Sequence, residues 1–163
     1  MKTIKEIMTA SPTSCKESDS LKKIAQLMDS LNIGSLPVVD QNDKVLGMIT
    51  DRDICILAGS VEKGLEQLKV RDAMSASIET INADEDTTAA LKLMRTKQIG
   101  RLPVVDAEKK LKGIITLNGI VRGVRGTSDK EEIEYKGKEN VISTLEAIAE
   151  RNTLESVDDF GEE

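Results

Sequence analysis

A chain of 163 residues, 39% of them apolar, has the material for one compact domain or two small ones around a modest core. It has no run of 18 apolar residues to span a membrane and no uninterrupted apolar signal region at its N-terminus, so a cytoplasmic protein is expected. The net charge of −6 is gathered in residues 128–163, which hold 12 acids against 4 bases, while residues 1–127 hold 17 acids against 19 bases. A near-neutral body argues against a nucleic-acid face, which needs a basic surface, and the two aromatic residues, Tyr135 and Phe160, both lie in the acidic tail. With no histidine and no CxxC spacing there is no ordinary zinc set, and Cys15 and Cys55 read as buried reduced thiols.

Along the chain, Ser18 or Asp19 is expected to cap a helix in which Leu21, Ile24, Ala25, Met28 and Leu31 form one apolar stripe, ended by Gly34. Leu36 to Val39 reads as a strand, Gln41 to Asp43 as a turn, Val45 to Thr50 as the returning strand and Asp51 to Leu57 as a short helix. Gly59 to Lys69 is a polar, amphiphilic connection, after which Val70 to Met74 restarts the pattern of Ile4 to Met8. Asp84 or Asp86 then opens a helix through Ala90, Leu91 and Met94, followed by strands at 101–105 and 111–116 around a turn at 106–110, and residues 117–124 close the unit. Residues 127–140 read as irregular and charged. Val141, Leu145, Ile148 and Ala149 mark a helix over about 139–151, and Ser156 to Glu163 is expected to be disordered.

These elements are one unit written twice. Ile33-Gly34-Ser35-Leu36-Pro37-Val38-Val39-Asp40 returns 66 residues later as Ile99-Gly100-Arg101-Leu102-Pro103-Val104-Val105-Asp106, and 11 of 18 positions are identical between residues 33–50 and 99–116. Internal repetition at a constant offset fixes the class before any local reading does. The expectation is an α+β fold of two β-α-β-β-α repeats related by a pseudo-two-fold axis. Its parts are repeat one at 1–60, a linker at 61–69, repeat two at 70–126 and an acidic extension at 127–163.

Gly47-Met48-Ile49-Thr50-Asp51-Arg52-Asp53, at the junction of a strand and a helix start, carries the most pointed chemistry. A threonine hydroxyl beside helix-terminal amides suits a phosphate, a carboxylate one turn on is an acceptor for two vicinal ribose hydroxyls, and Arg52 adds positive charge. The same residues could simply cap the helix.

The doubled Leu-Pro-Val-Val-Asp strand, the helices ending near Met28 and Met94, and the Gly-x-x-Thr segments at Gly47 and Gly113 resemble a tandem pair of cystathionine β-synthase (CBS) domains over residues 1–124. The resemblance implies a regulatory module of two packed three-stranded sheets with outer helices and two clefts for adenosine-containing ligands. It further implies that cleft one uses Thr50 and Arg101 on phosphate and Asp53 on ribose. Met48, Ile78 and Glu79 lie around the adenine, with Arg52 and Gly100 beside them. Cleft two draws on Thr116, Asn118, Gly119, Ser35, Pro12 and Thr13. There Gly119 replaces the ribose carboxylate and Ser35 the guanidinium. Each lost charged hydrogen bond costs on the order of 1.5–3 kcal/mol, so one working cleft is expected.

The function implied is a sensor of an adenine nucleotide (AMP, ADP or ATP) that passes its occupancy to an unidentified effector protein. It would act as a homodimer formed through its outer helices, with no catalytic residues, metal or required cofactor. The alternative is a dimerisation scaffold that binds nothing. Catalysis is disfavoured because no histidine, Walker loop or carboxylate cluster is present.

Overall fold

The computed structural model describes residues 2–125 and 131–154. Its elements run α1 (Ile4–Ile7), β1 (Thr9–Ala10), α2 (Leu21–Leu31), β2 (Ser35–Val39), β3 (Val45–Thr50), α3 (Asp51–Ser60), a 3-10 turn at Val70–Asp72, β4 (Ile81–Asn82), α4 (Thr87–Lys97), β5 (Arg101–Val105), β6 (Leu111–Thr116), α5 (Leu117–Arg125) and α6 (Glu131–Leu154). The pair of hairpins, each flanked by helices, is the α+β architecture that the repeat predicts, and β5 and β6 have the bounds read from the sequence.

The chain forms two compact units, and each unit mixes the two repeats. One holds residues 11–80 and 105–112, the other residues 1–10, 81–104 and 113–163. The reason lies in the short segments that lead into each repeat. Residues 69–76, which introduce repeat two, lie on repeat one: Ser20 bridges to Lys69, Met48 bridges to Ser75, and Val70 is fully buried in the core of that unit. Residues 3–10, which introduce repeat one, lie on repeat two: Thr3 bridges to Asp86, β1 pairs antiparallel with β6, and Ile4 is fully buried there. The 66-residue offset maps one set of contacts onto the other, so the same chemistry is used twice.

In the first of these units, β2 and β3 form a hairpin whose apolar side meets Leu21, Ile24 and Met28 of α2. Leu21, Ile24, Leu36, Val38 and Ile49 are fully buried, each contributing roughly 1.5–3 kcal/mol by leaving water. Residues 61–69 fold back onto the start of α2. Its first amides, on Leu21 and Lys22, donate to the carbonyls of Leu68 and Leu65 at 2.9 and 3.1 Å, satisfying donors that a helix N-terminus leaves open. In the second unit the sheet runs β1-β6-β5-β4, and the core gathers Ile4, Met94, Leu102, Ile115 and Ile120. The sheets are therefore four-stranded and two-stranded, where the resemblance implies two of three. In the two-stranded sheet, the bridges at Cys15–Val38 and Met48–Ser75 stand at the places of the missing strands.

Several local expectations are corrected. The N-cap of α2 is Ser20, whose hydroxyl accepts from the Lys23 amide, while Asp19 accepts from Lys16 and pairs with Lys23 at 2.6 Å. Of the two caps considered for α4, Asp86 is the one, accepting from Ala89. Gly34 does not end α2. Asn32 does, in the left-handed conformation at φ 51°, and its counterpart Gln98 ends α4 at φ 52°. The short amide side chain of an asparagine tolerates that conformation. Cys15 is buried, with its thiol pushed up to about 12 chiefly by burial, but Cys55 is exposed. The helix read at 139–151 begins earlier, at Glu131, because the run from Glu131 to Lys136 consists mostly of good helix formers. Its packed stripe is the buried Thr144 with the half-buried Val141 and Ile148, on the chain's own α4 and α5, whereas Leu145 is 50% exposed and Ala149 is exposed as well. Residues 156–163 lie outside the described residues.

Candidate functional site

The strand-to-helix junction at Thr50 is built by the sequence around it. β3 must carry glycine at position 47, because a Cβ there would sit 2.5 Å from the Ser75 carbonyl oxygen. That close approach lets Met48 and Ser75 exchange backbone hydrogen bonds of 3.0 and 2.9 Å. It brings the segment leading to Ile78 and Glu79 alongside Met48, which is buried, and both later residues are half-buried. Met48, Thr50, Arg52, Asp53, Ile78 and Glu79 therefore all belong to one compact unit, although they come from both repeats.

Thr50 and Asp53 interlock. The Thr50 hydroxyl and backbone amide both donate to Asp53 Oδ2, at 2.7 and 2.8 Å, and the Asp53 amide donates back to Thr50 Oγ1 at 3.1 Å. This is a reciprocal cap at the N-terminus of α3, so the capping role considered from the sequence is realised. The ligand-binding role uses the same atoms: the carboxylate is an acceptor whose partners are a hydroxyl and an amide, and both are half-exposed at the end of a strand. Asp51 accepts from the Arg52 amide at 2.8 Å, and Arg52 is exposed.

The counterpart junction in the other unit is simpler. Thr116 Oγ1 accepts from the Gly119 amide at 3.0 Å, and position 119 offers no carboxylate to receive the hydroxyl proton. Asn118 is exposed. Arg101 is exposed at the start of β5, following Gly100, whose Cβ position faces open space. Ser35, at the repeat position of Arg101, is buried at the start of β2 opposite Thr50 in the hairpin register. Pro12 is half-buried and Thr13 exposed, in the same unit as Ser35. The residues assigned to each cleft are thus divided between units: Gly100 and Arg101 belong to a different unit from the rest of the cleft-one set, and Pro12, Thr13 and Ser35 to a different unit from Thr116, Asn118 and Gly119.

The aspartates closing the repeated motif have a structural task that the sequence reading did not assign. Asp40 Oδ1 accepts from the amides of Asn42 and Lys44 at 2.7 and 2.9 Å, and Asp106 Oδ1 does the same for Glu108 and Lys110 at 2.9 Å each. These bonds hold both carboxyls below the usual range. The Lys44 amide is the main cause for Asp40, and the Lys112 ammonium, 3.0 Å away, for Asp106. The two turns then pair with each other, Val45 donating to Lys109 and Leu111 to Asp43. The signal was available, since an aspartate before a polar turn is an Asx-turn signature. Among the described residues no group of three His, Cys, Asp or Glu could hold a metal, and no helix is long and apolar enough to cross a membrane.

Comparison with known proteins bears on the family and the fold. The chain is 36% identical over 118 residues to the uncharacterized protein MK0525 of Methanopyrus kandleri, and 35% identical over 119 residues to inosine-5'-monophosphate dehydrogenase of Methanocaldococcus jannaschii. It spans 58% and 22% of their lengths, covering 72% and 73% of itself. Among solved structures, the CBS-domain pair of MJ0100, in complex with 5'-methylthioadenosine and S-adenosyl-L-methionine, matches with a TM-score of 0.67 at 27% identity, over 74% of this chain and 98% of that one. CBSX2 of Arabidopsis thaliana, in complex with AMP, matches with a TM-score of 0.67 at 26% identity, over 77% and 98%. The CBS-domain profile matches twice, at residues 4–58 and 70–126, which are the two copies of the repeat, and the chain belongs to the CBS-domain family.

Proposed function

We propose that this chain is a regulatory sensor of an adenosine-containing ligand, with AMP the favoured form, bound at the Thr50–Asp53 junction. The observation that carries the reading is the pairing of hydroxyl and carboxylate at the start of α3, beside Met48 and in the same unit as Ile78 and Glu79. Relatives of the same fold bind AMP, 5'-methylthioadenosine and S-adenosyl-L-methionine, which supports an adenosine ligand. Ribose hydroxyls donate to the Asp53 carboxylate in place of Thr50. The Thr50 hydroxyl then turns its proton to a phosphate oxygen, at the positive end of α3. Binding therefore rebuilds the cap of α3, and the cytoplasmic homodimer reports occupancy to a partner protein through that change.

Gly119 supports a single working site per chain, since its junction has a hydroxyl but no carboxylate. The test is isothermal titration with AMP, ADP, ATP and S-adenosyl-L-methionine, on the parent chain, Asp53→Asn and Arg52→Ala. We expect roughly micromolar binding of one nucleotide per chain. Asp53→Asn should weaken every ligand about 10- to 100-fold, and Arg52→Ala should weaken the phosphorylated ones alone. Absence of binding by all four ligands would favour the scaffold reading instead.

A further inference from the structure

The duplication marks what is particular to each repeat. Moving 66 residues back along the chain turns Lys92, Arg95 and Lys97 of α4 and Arg122 of α5 into Gln26, Asp29, Leu31 and Ile56, so each of these exposed cations stands where repeat one has none. The repeat-one cations Lys22 and Lys23 become Thr88 and Ala89 in return, and neither α4 nor α5 contains an acid. Positive charge is thus no general property of the repeat. It belongs to the two helices on which α6 lies, and the described side chains of α6 over 139–150 include Glu139, Glu146 and Glu150 with no cation. An acidic helix covers a basic face.

The cover is not packed like a core. Arg95 donates to Ser143 at 3.3 Å and Gln98 to the Ala147 carbonyl at 3.0 Å, while the Thr144 hydroxyl reaches the Leu91 carbonyl at 3.4 Å but its own helix, at the Asn140 carbonyl, at 2.7 Å. Val141 and Ile148 are only half-buried, and Ile142 and Leu145 are 54% and 50% exposed. A cavity of about 100 Å³ remains between α4 and α6, lined by Thr88, Leu91, Lys92, Arg95, Asn140 and Thr144. A seat with a polar centre and a cavity opens at lower cost than a close-packed interior. The counterpart face between α2 and α3 is lined instead by Asp29, the repeat position of Arg95, and by Asp51. Two copies of the chain therefore carry opposite charge at equivalent places. We infer that α6 is an autoinhibitory strap, an acidic stand-in that masks the α4–α5 face from the α2–α3 face of a second copy. While α6 is seated that face is closed, and when it leaves, Lys92 and Arg95 can meet Asp29 and Asp51 of another chain. The inference rests on the homodimer of the proposed function and not on its ligand.

Sedimentation velocity over a range of concentrations compares the parent chain with Val141→Asp and Ile148→Asp, each of which puts a charge into the half-buried stripe of α6. Hydrogen exchange at the Thr144 amide reports whether α6 has left, and melting reports whether the body stays folded. Both variants are expected to lose that protection and to self-associate about tenfold more tightly than the parent. Adding Asp29→Arg, at an exposed position, should cancel the gain. The parent's own state, monomer or dimer, decides the homodimer reading, and the difference between parent and variants decides the strap. Release of α6 without tighter association, tighter association that Asp29→Arg leaves intact, or Thr144 protection that persists in both variants would overturn the proposal. Loss of the parent's association in Ile142→Glu would overturn it too, since α6 would then be the interface itself.

Discussion

Gly47→Ala tests the segment exchange on which both units depend. The added Cβ would stand 2.5 Å from the Ser75 carbonyl oxygen and 3.3 Å from the Met74 methyl. The backbone segment at 74–76 must therefore retreat, and its two hydrogen bonds with Met48, of 3.0 and 2.9 Å, are strained or lost. Those bonds are worth about 1 kcal/mol each, and overpacking against backbone adds about 1–3 kcal/mol. Reduced freedom of the unfolded chain returns about 0.4–1 kcal/mol. The net cost is about 2–4 kcal/mol, or a fall in Tm of roughly 4–16 °C for a chain of this size. Gly113→Ala is the matched control. Its Cβ meets the Met8 thioether, the movable end of a side chain, and the Thr9 carbonyl only at 3.0 Å. That substitution should cost about 0–2 kcal/mol. Urea unfolding followed by far-UV circular dichroism measures both, as the chain has no tryptophan. Equal losses, or a Gly47→Ala chain as stable as the parent, would refute the packing of residues 74–76 against β3.

The remaining expectations concern the cysteines, the second junction and the helix seat. Cys55 should react quickly with a disulfide reagent at pH 8 and Cys15 only on unfolding, because Cys55 is exposed while the buried Cys15 stays protonated. The Cys15 thiol is raised from 9.0 to about 12, so the folded state holds its proton longer than the unfolded one. Stability is then unaffected below pH 9 and falls by up to about 1.4 kcal/mol per pH unit above it, a slope that Cys15→Ala should remove in alkaline melts. Gly119→Asp should rebuild the interlocked cap seen at Thr50, since its Cβ meets only Thr116 Oγ1, at 3.2 Å. A rise in stability of about 0.5–1 kcal/mol in urea is expected, and a loss would contradict the equivalence of the two junctions. Val141→Asp should release α6 from α4, costing about 2–4 kcal/mol and exposing Thr144 to rapid hydrogen exchange.

The hairpins and helices were legible because their signals are local. The Leu-Pro-Val-Val-Asp run, the turn aspartates and the stripe Leu21, Ile24 and Met28 each specify one element from within a few residues. The doubling made the family legible as well. The segment exchange was not, because nothing in Val70 or Ile4 states which of two similar cores will bury it. That choice is a competition between whole-chain arrangements, decided by sterics such as the close approach at Gly47. Caps were missed by one or two residues where several small polar side chains stand together, as at Ser18, Asp19 and Ser20. At the candidate site, residue types suggested Thr50 and Asp53, but the mutual hydrogen bonds that tie them, and so the cost of freeing Thr50 for a ligand, depend on coordinates.

The proposed site and the start of α3 are the same few atoms, so the site limits its own signal. The Thr50 hydroxyl and amide both reach Asp53 Oδ2, and Asp51 holds the Arg52 amide at 2.8 Å in the same turn. A ligand that took the Asp53 carboxylate away from Thr50 would remove a cap worth about 0.5–2 kcal/mol. The effect passed on through the first turn of α3 would then be bounded at roughly 2- to 30-fold. Linkage would make it reciprocal, so a partner that held that turn would change ligand affinity by the same factor.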